Sequence, residues 1–175
     1  MLKDFNLLVT TIRGNEEKTC SEIWYLLGEL GDSEIKVDKT GIKGLIAAKT
    51  SLNPFEAIEK LRTLFKERPQ EFRYTLRIMP IEKVVHTTVE DIKKASTELI
   101  SKIGERETFR ISVEKRFSQL STQQIIEAVA GNIERKVSLE KPDKIVLIEI
   151  AGKFTGISVI KPSDIFSYTK ERTLN

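Results

Sequence analysis

With 175 residues, 39% of them hydrophobic and 31% charged, the chain can fill one domain or two small ones with ordinary cores under a strongly charged surface. At this length no appended catalytic domain is expected. The formal net charge of only +3 excludes a polyanion binder that works by bulk charge, so any nucleic-acid site must come from local clustering. A single cysteine (Cys20) and a single histidine (His86) exclude an internal disulfide and a Cys-based zinc cluster.

The opening segment MLKDFNLLVTTIRG is too polar for a signal peptide. Within it, Phe5–Ile12 is an apolar, β-rich run and reads as a strand. Gly14-Asn15 ends that strand, and Asn15 stands where it can cap a helix whose first turn holds Glu16 and Glu17. Ile23, Trp24, Leu27 and Leu30 give this helix one apolar face, and Gly31-Asp32 closes it. Glu34–Val37 and Gly44–Ala48 read as two short strands joined through Asp38–Gly41. Asn53-Pro54-Phe55-Glu56 is a helix start, with Asn as cap and Pro in the first turn. Phe55, Ile58, Leu61 and Phe65 form its apolar stripe. Phe72–Ile78 alternates, with Phe72, Tyr74, Leu76 and Ile78 on one side and Arg73, Thr75 and Arg77 on the other. The order βαββαβ is that of a ferredoxin-like domain over residues 1–80, with Arg73 and Arg77 on the sheet face the helices leave open.

Pro80 ends that strand, having no amide proton. A helix capped by Thr87 or Thr88 follows, with Val89, Ile92, Leu99 and Ile103 in register. Gly104 closes it. Phe109, Ile111 and Val113 form the inner face of the next strand, while Arg110, Ser112 and Glu114 point outward and Lys115-Arg116 ends it. Ser121-Thr-Gln-Gln124 is a capping box, and Ile125, Ile126, Val129 and Ile133 are the buried stripe of its helix. Ile145–Ile150 and Phe154–Ile160 read as a hairpin around Ala151-Gly152-Lys153, stopped by Lys161-Pro162. This second domain covers 81–166, and 167–175 reads as a polar, mobile tail. No apolar run approaches the roughly 20 residues that span a bilayer, so no membrane contact and a cytoplasmic location are expected.

No enzyme signature is present: there is no Walker A loop and no strand-anchored Gly-x-Gly-x-x-Gly to cradle a nucleotide phosphate. His86 reads as a polar residue in an interdomain linker and Cys20 as a half-buried small residue, which leaves no catalytic residue, metal site or cofactor. Gly41-Ile-Lys-Gly44 matches the backbone clamp of KH domains, but it joins strands rather than helices and reads as a hairpin turn. Phe72 and Tyr74 invite comparison with base-stacking sheets, yet they share a face with Leu76 and Ile78 and so fit a core. The stronger candidate is Lys115-Arg116, followed by Phe117-Ser118-Gln119-Leu120 and a helix N-terminus. Free amides and the positive end of a helix dipole suit phosphate, and Ser118, Gln119 and Ser121 add donors. Against it stands an ordinary charged loop with a capping serine. Lys153 and Lys161 are placed to extend the patch, against the ordinary reading of lysines solvated in turns.

The stretch Thr108–Ile160, a strand with a basic end, a capped helix and two apolar strands around a Gly turn, resembles the RNA-binding half of a THUMP domain. Phe72-Arg-Tyr-Thr-Leu-Arg-Ile-Met-Pro-Ile81 ahead of a helix, Gly14-Asn-Glu-Glu-Lys-Thr-Cys20 and Val129-Ala-Gly-Asn-Ile133 are similar to segments of stand-alone THUMP proteins of the tRNA cytidine acetylation adaptor family. The resemblance implies an α+β fold, a ferredoxin-like βαββαβ domain followed by an α/β THUMP domain. It further implies a protein that is not itself an enzyme, but binds tRNA for a separate RNA cytidine acetyltransferase that makes N4-acetylcytidine. Carried over, the Lys115-Arg116-Phe117-Ser118 segment, Gln119, Arg110 and Lys153 become candidate RNA contacts, with Arg77 and Arg73 behind them. A second reading is the detached THUMP subunit of another tRNA-modifying enzyme, a methyltransferase or thiouridine synthetase. A third is a hydrolase or transferase built on Cys20 or His86.

Overall fold

The computed structural model describes residues 1–174. Its contacts divide the chain into two compact units, Met1–Ile81 together with the segment from Asp164 onward, and Glu82–Ser163.

The first unit contains β1 (Leu7–Thr11), α1 (Glu16–Glu29), β2 (Lys36–Lys39), β3 (Leu45–Lys49), α2 (Pro54–Glu67) and β4 (Thr75–Pro80). Its strands are antiparallel and ordered β4-β1-β3-β2, the ferredoxin-like arrangement. Asn53 caps α2 as its sequence requires, its side chain accepting from the amides of Phe55 and Glu56. Asn15 sits at the start of α1 but makes no side-chain cap. The Glu16 carboxylate instead reaches back to the amides of Gly14 and Gly44. The buried face of α1 is Thr19, Glu22, Ile23, Leu26 and Leu27. Trp24, placed on that face from sequence, is 61% exposed, because one residue turns the helix by about 100°.

The alternation expected in β4 also breaks. Thr10 pairs with Arg77 but Thr11 pairs with Thr75, so Leu76 is skipped as a bulge. Thr75 is consequently buried and Leu76 exposed. The carboxylate of Glu22 anchors this entry, accepting from the amides of Arg73, Tyr74 and Thr75 and from the Thr75 hydroxyl.

The segment expected to be a mobile tail is ordered against this unit. β10 (Phe166–Ser167) adds antiparallel to β4, and α5 (Tyr168–Thr173) follows. Phe166 is fully buried and packs on Phe65 and Phe72, with ring centroids 5.7 Å and 5.6 Å away. Arg62 holds the same segment through the Ile165 carbonyl and Glu171. Asn175 lies outside the described residues.

The second unit contains β5 (Lys83–His86), α3 (Val89–Leu99), β6 (Thr108–Arg116), α4 (Thr122–Ala130), β7 (Lys136–Val137), β8 (Lys144–Ala151) and β9 (Phe154–Ile160). The sheet order is β5-β9-β8-β6-β7. β6 runs parallel to both β8 and β7, while β9 runs antiparallel to both β8 and β5. Ile92, Leu99, Ile125, Val129 and Ile133 from the helices meet Phe109, Val146, Ile148 and Ile150 from the sheet in one core. β5 was not expected: His86 belongs to an edge strand rather than a linker.

Candidate nucleic-acid interface

The strand register of the second unit brings four chain positions to one level at one edge of the sheet. His86 pairs with Phe154, Phe154 with Ala151, and Ala151 with Arg116. At about 4.8 Å per strand, His86 and Arg116 are separated by three spacings, or roughly 14 Å. The same edge carries the Gly152-Lys153 turn and, beyond the ends of β5 and β6, the N-termini of α3 and α4. Gly152, at φ 64°, donates its amide to the Arg116 carbonyl at 2.9 Å and ties the turn to the end of β6.

The two helix starts differ electrostatically. The first turn of α3 holds Glu90 and Asp91, which offset its dipole, whereas the first turn of α4 has no acidic residue. Thr88 caps α3 by accepting from the Asp91 amide at 3.0 Å. Ser121 caps α4 by accepting from the Gln124 amide at 3.3 Å, and helix geometry gives the amides at the very start of α4 no acceptor within the helix. Just before it, Ser118 accepts from the Leu120 amide, and the Leu120 carbonyl takes a hydrogen bond from Lys115 Nζ at 2.9 Å. Lys115 is therefore held against the turn that starts α4, with its ammonium exposed. Gln119 and Lys153 are exposed as well.

Arg116 stands apart from this group. It follows Arg110, Ser112 and Glu114 on the sheet face away from the helices, and its guanidinium pairs with buried Glu149. Lys115, Ser118, Gln119 and Lys153 thus gather at one edge with Arg116 engaged beside them. Arg110 does not join: six residues earlier on β6, it is about 20 Å away and donates to the Leu139 carbonyl. Lys161 follows β9 at the end opposite Lys153 and does not extend the patch. Arg73 and Arg77 belong to the first unit. Arg77 is exposed on β4, and Arg73 lies in the loop before it with Nε donating to the Gln70 carbonyl. Phe72 is in the core of that unit, and Gly41 and Gly44 lie in the β2–β3 hairpin, each with a positive φ.

The sequence places Phe117 inside the basic candidate segment but does not mark its side chain as exposed. It is 80% exposed and sits at φ 51°, the left-handed region, the one non-glycine residue there among the described residues. Its signal was an aromatic side chain following Lys115-Arg116 where an amphipathic strand should end.

Burial, aided by Asp38, pushes the Cys20 thiol up, the wrong direction for a nucleophile. The His86 ring lies 5.5 Å from that of Phe154, and no group of three metal-ligating side chains exists among the described residues. No helix among them is long and apolar enough to cross a membrane.

Residues 86–160 match the THUMP domain family, which places a THUMP domain across this unit. THUMP domain-containing protein 1 of Mus musculus and of Homo sapiens are each 29% identical over 115 residues, covering 61% of this chain and 33% of theirs. The chain spans about a third of the length of these relatives. Among solved structures, PH1313 from Pyrococcus horikoshii Ot3 aligns with a TM-score of 0.65 and 21% identity over 89% of this chain and 55% of that one. TrmN from Thermus thermophilus gives 0.57 and 15% over 89% and 45%. A 4-thiouridine synthetase in complex with RNA and bound ATP gives 0.58 and 14% over 94% and 42%. At these identities the likeness is one of fold.

Proposed function

We propose that this protein is a non-catalytic, tRNA-binding adaptor that presents tRNA to a separate RNA cytidine acetyltransferase for N4-acetylcytidine formation. A THUMP domain implies RNA binding and a place in tRNA modification, and the similarity to THUMP domain-containing protein 1 fits that coarser reading. The observation that carries it is the start of α4: a helix N-terminus with no acid in its first turn, beside the exposed ammonium of Lys115 and the Lys153 turn. Such an end attracts phosphate through free amides and dipole together. Lys115 and Lys153 supply charge, and Ser118, Gln119 and Ser121 supply donors. Arg116 orients the end of β6 through Glu149 and adds its field. Arg110, Arg73 and Arg77 are secondary contacts outside this cluster. The protein contributes positioning: it holds the RNA body while the partner recognises and modifies the base, and it uses no cofactor of its own.

The second reading, a detached THUMP subunit of a methyltransferase or thiouridine synthetase, is favoured by the fold likeness to TrmN and to the 4-thiouridine synthetase. One experiment separates the two. The protein is captured from its native cell at mild salt, its protein partners are identified by mass spectrometry and its RNA is sequenced. Recovery of tRNA with an acetyltransferase supports the adaptor. Recovery of tRNA with a methyltransferase or thiolation enzyme supports the second reading, and absence of tRNA removes both.

A further inference from the structure

Phe117 combines two properties that folding alone does not favour. Its side chain is 80% exposed, and its backbone holds φ 51°, a region in which Cβ crowds the following carbonyl and which glycine enters without cost. Strain of this kind persists where the surroundings impose it and clusters at functional sites. Here the surroundings are visible. Arg116 is fixed on one side by the Gly152 amide at its carbonyl and by Glu149 at its guanidinium, and Leu120 is fixed on the other by Lys115 and Ser118. The chain between these anchors has to turn, and residue 117 takes up the turn with its ring in solvent.

We propose that Phe117 is a stacking platform for one unpaired nucleobase of the bound RNA, an inference that rests on the RNA-binding reading above. The chemistry around the ring selects this occupant over an apolar protein surface. A protein patch needs contiguous apolar area. The other large apolar side chains exposed in this unit are Val137 in β7 and Leu139 just after it, and β7 pairs with the start of β6, at the opposite end of that strand. Phe117 stands instead among phosphate-compatible groups: Lys115 on one side, Ser118 and Gln119 on the other, then the α4 amides. A flat ring beside phosphate donors suits a nucleotide, whose base presents a π face to an aromatic and whose backbone presents an anion. Stacking does not distinguish the bases, so Phe117 provides grip and placement rather than sequence readout.

The test uses the full chain and a labelled, folded tRNA, followed by fluorescence anisotropy across a salt series, with thermal melting of each variant. Phe117→Tyr keeps the ring and is expected to bind within about 2-fold of wild type, whereas Phe117→Leu and Phe117→Gly lose about 10-fold or more. The slope of log affinity against log salt stays as in wild type for all three, because no cation is removed. Phe117→Gly is expected to melt at a higher temperature than wild type while binding more weakly, opposite signs that a purely structural role would not produce. Leu binding as tightly as Phe overturns this inference and leaves RNA binding intact. Wild-type protein that shows no salt-dependent affinity for tRNA overturns the RNA-binding reading itself, and this inference with it.

Discussion

Arg116 Nη1 lies 2.8 Å from Glu149 Oε2, with the arginine side chain 17% exposed and the glutamate 4%. A basic pair at a strand end invites the view that both cations face a ligand, but the register of parallel β6 and β8 makes only Lys115 available. Arg116 balances a carboxylate inside the sheet, and that carboxylate needs a cation more than the surface does. Arg116→Ala is therefore expected to destabilise the second unit by about 2 kcal/mol or more, since it takes a charged hydrogen-bond donor from a buried carboxylate. Adding Glu149→Gln to that variant should restore part of the loss. Urea denaturation of both variants checks this, and equal stability of the single variant and wild type would rule out the pairing.

Lys115 and Lys153 are the opposite case. Each is exposed, so Lys115→Ala and Lys153→Ala are expected to change stability by less than about 0.5 kcal/mol. Each should weaken tRNA binding and reduce the salt slope by about 0.7 to 0.9 per lost phosphate contact. Arg110→Ala, at the other end of β6 and a secondary contact, should lower that slope less than either lysine variant. A slope insensitive to both lysines would move the RNA site away from this edge.

Phe166 tests the role of the C-terminal segment. Its ring packs against both Phe65 and Phe72, which also touch each other. Phe166→Ala is expected to cost about 3 to 5 kcal/mol, the range for emptying a buried aromatic site. The loss should fall on the first unit: hydrogen exchange would speed up in β1 and β4 while β6 and β8 keep their protection. Uniform acceleration in both sheets would contradict the assignment of this segment to the first unit.

Asp32 sets an acid limit. Burial alone would push its carboxyl up, but hydrogen bonds from Ser51 and Thr50, with the Glu34 and Ser51 amides, outweigh it and hold the group below the usual carboxylate range. A native value below the unfolded one means a contribution fully present at neutral pH. It is lost as the pH falls below about 4 and on through the native value. Asp32→Asn should cost about 1 to 3 kcal/mol at pH 7 by leaving donors unpaired. Its stability should then fall less steeply than wild type in acid. A variant with the same acid slope as wild type would show that the carboxylate is not the linked group.

The sequence by itself determined the elements whose signals are local. Asn53-Pro54 capping α2, Ser121 capping α4, the βαββαβ order and the Gly152 turn all follow from constraints acting within a few residues, and each is present. The strand with a basic end and the helix start after it were legible for the same reason, so the neighbourhood of the site could be found from the residues alone. What the tertiary structure decided is partnership across the sheet. That Arg116 pairs with Glu149 and that His86 comes level with Phe154 and Arg116 through β5 depend on register and strand direction, which local periodicity does not encode. The segment 167–175 reads as a polar tail, and Phe166 as the end of the second domain, because Phe166 and Tyr168 are too few to mark an element. Only the space beside Phe65 and Phe72 makes them a strand and a helix. Phe117 is the last case: the sequence places it in the basic segment, and it is the anchors on either side that turn its ring outward.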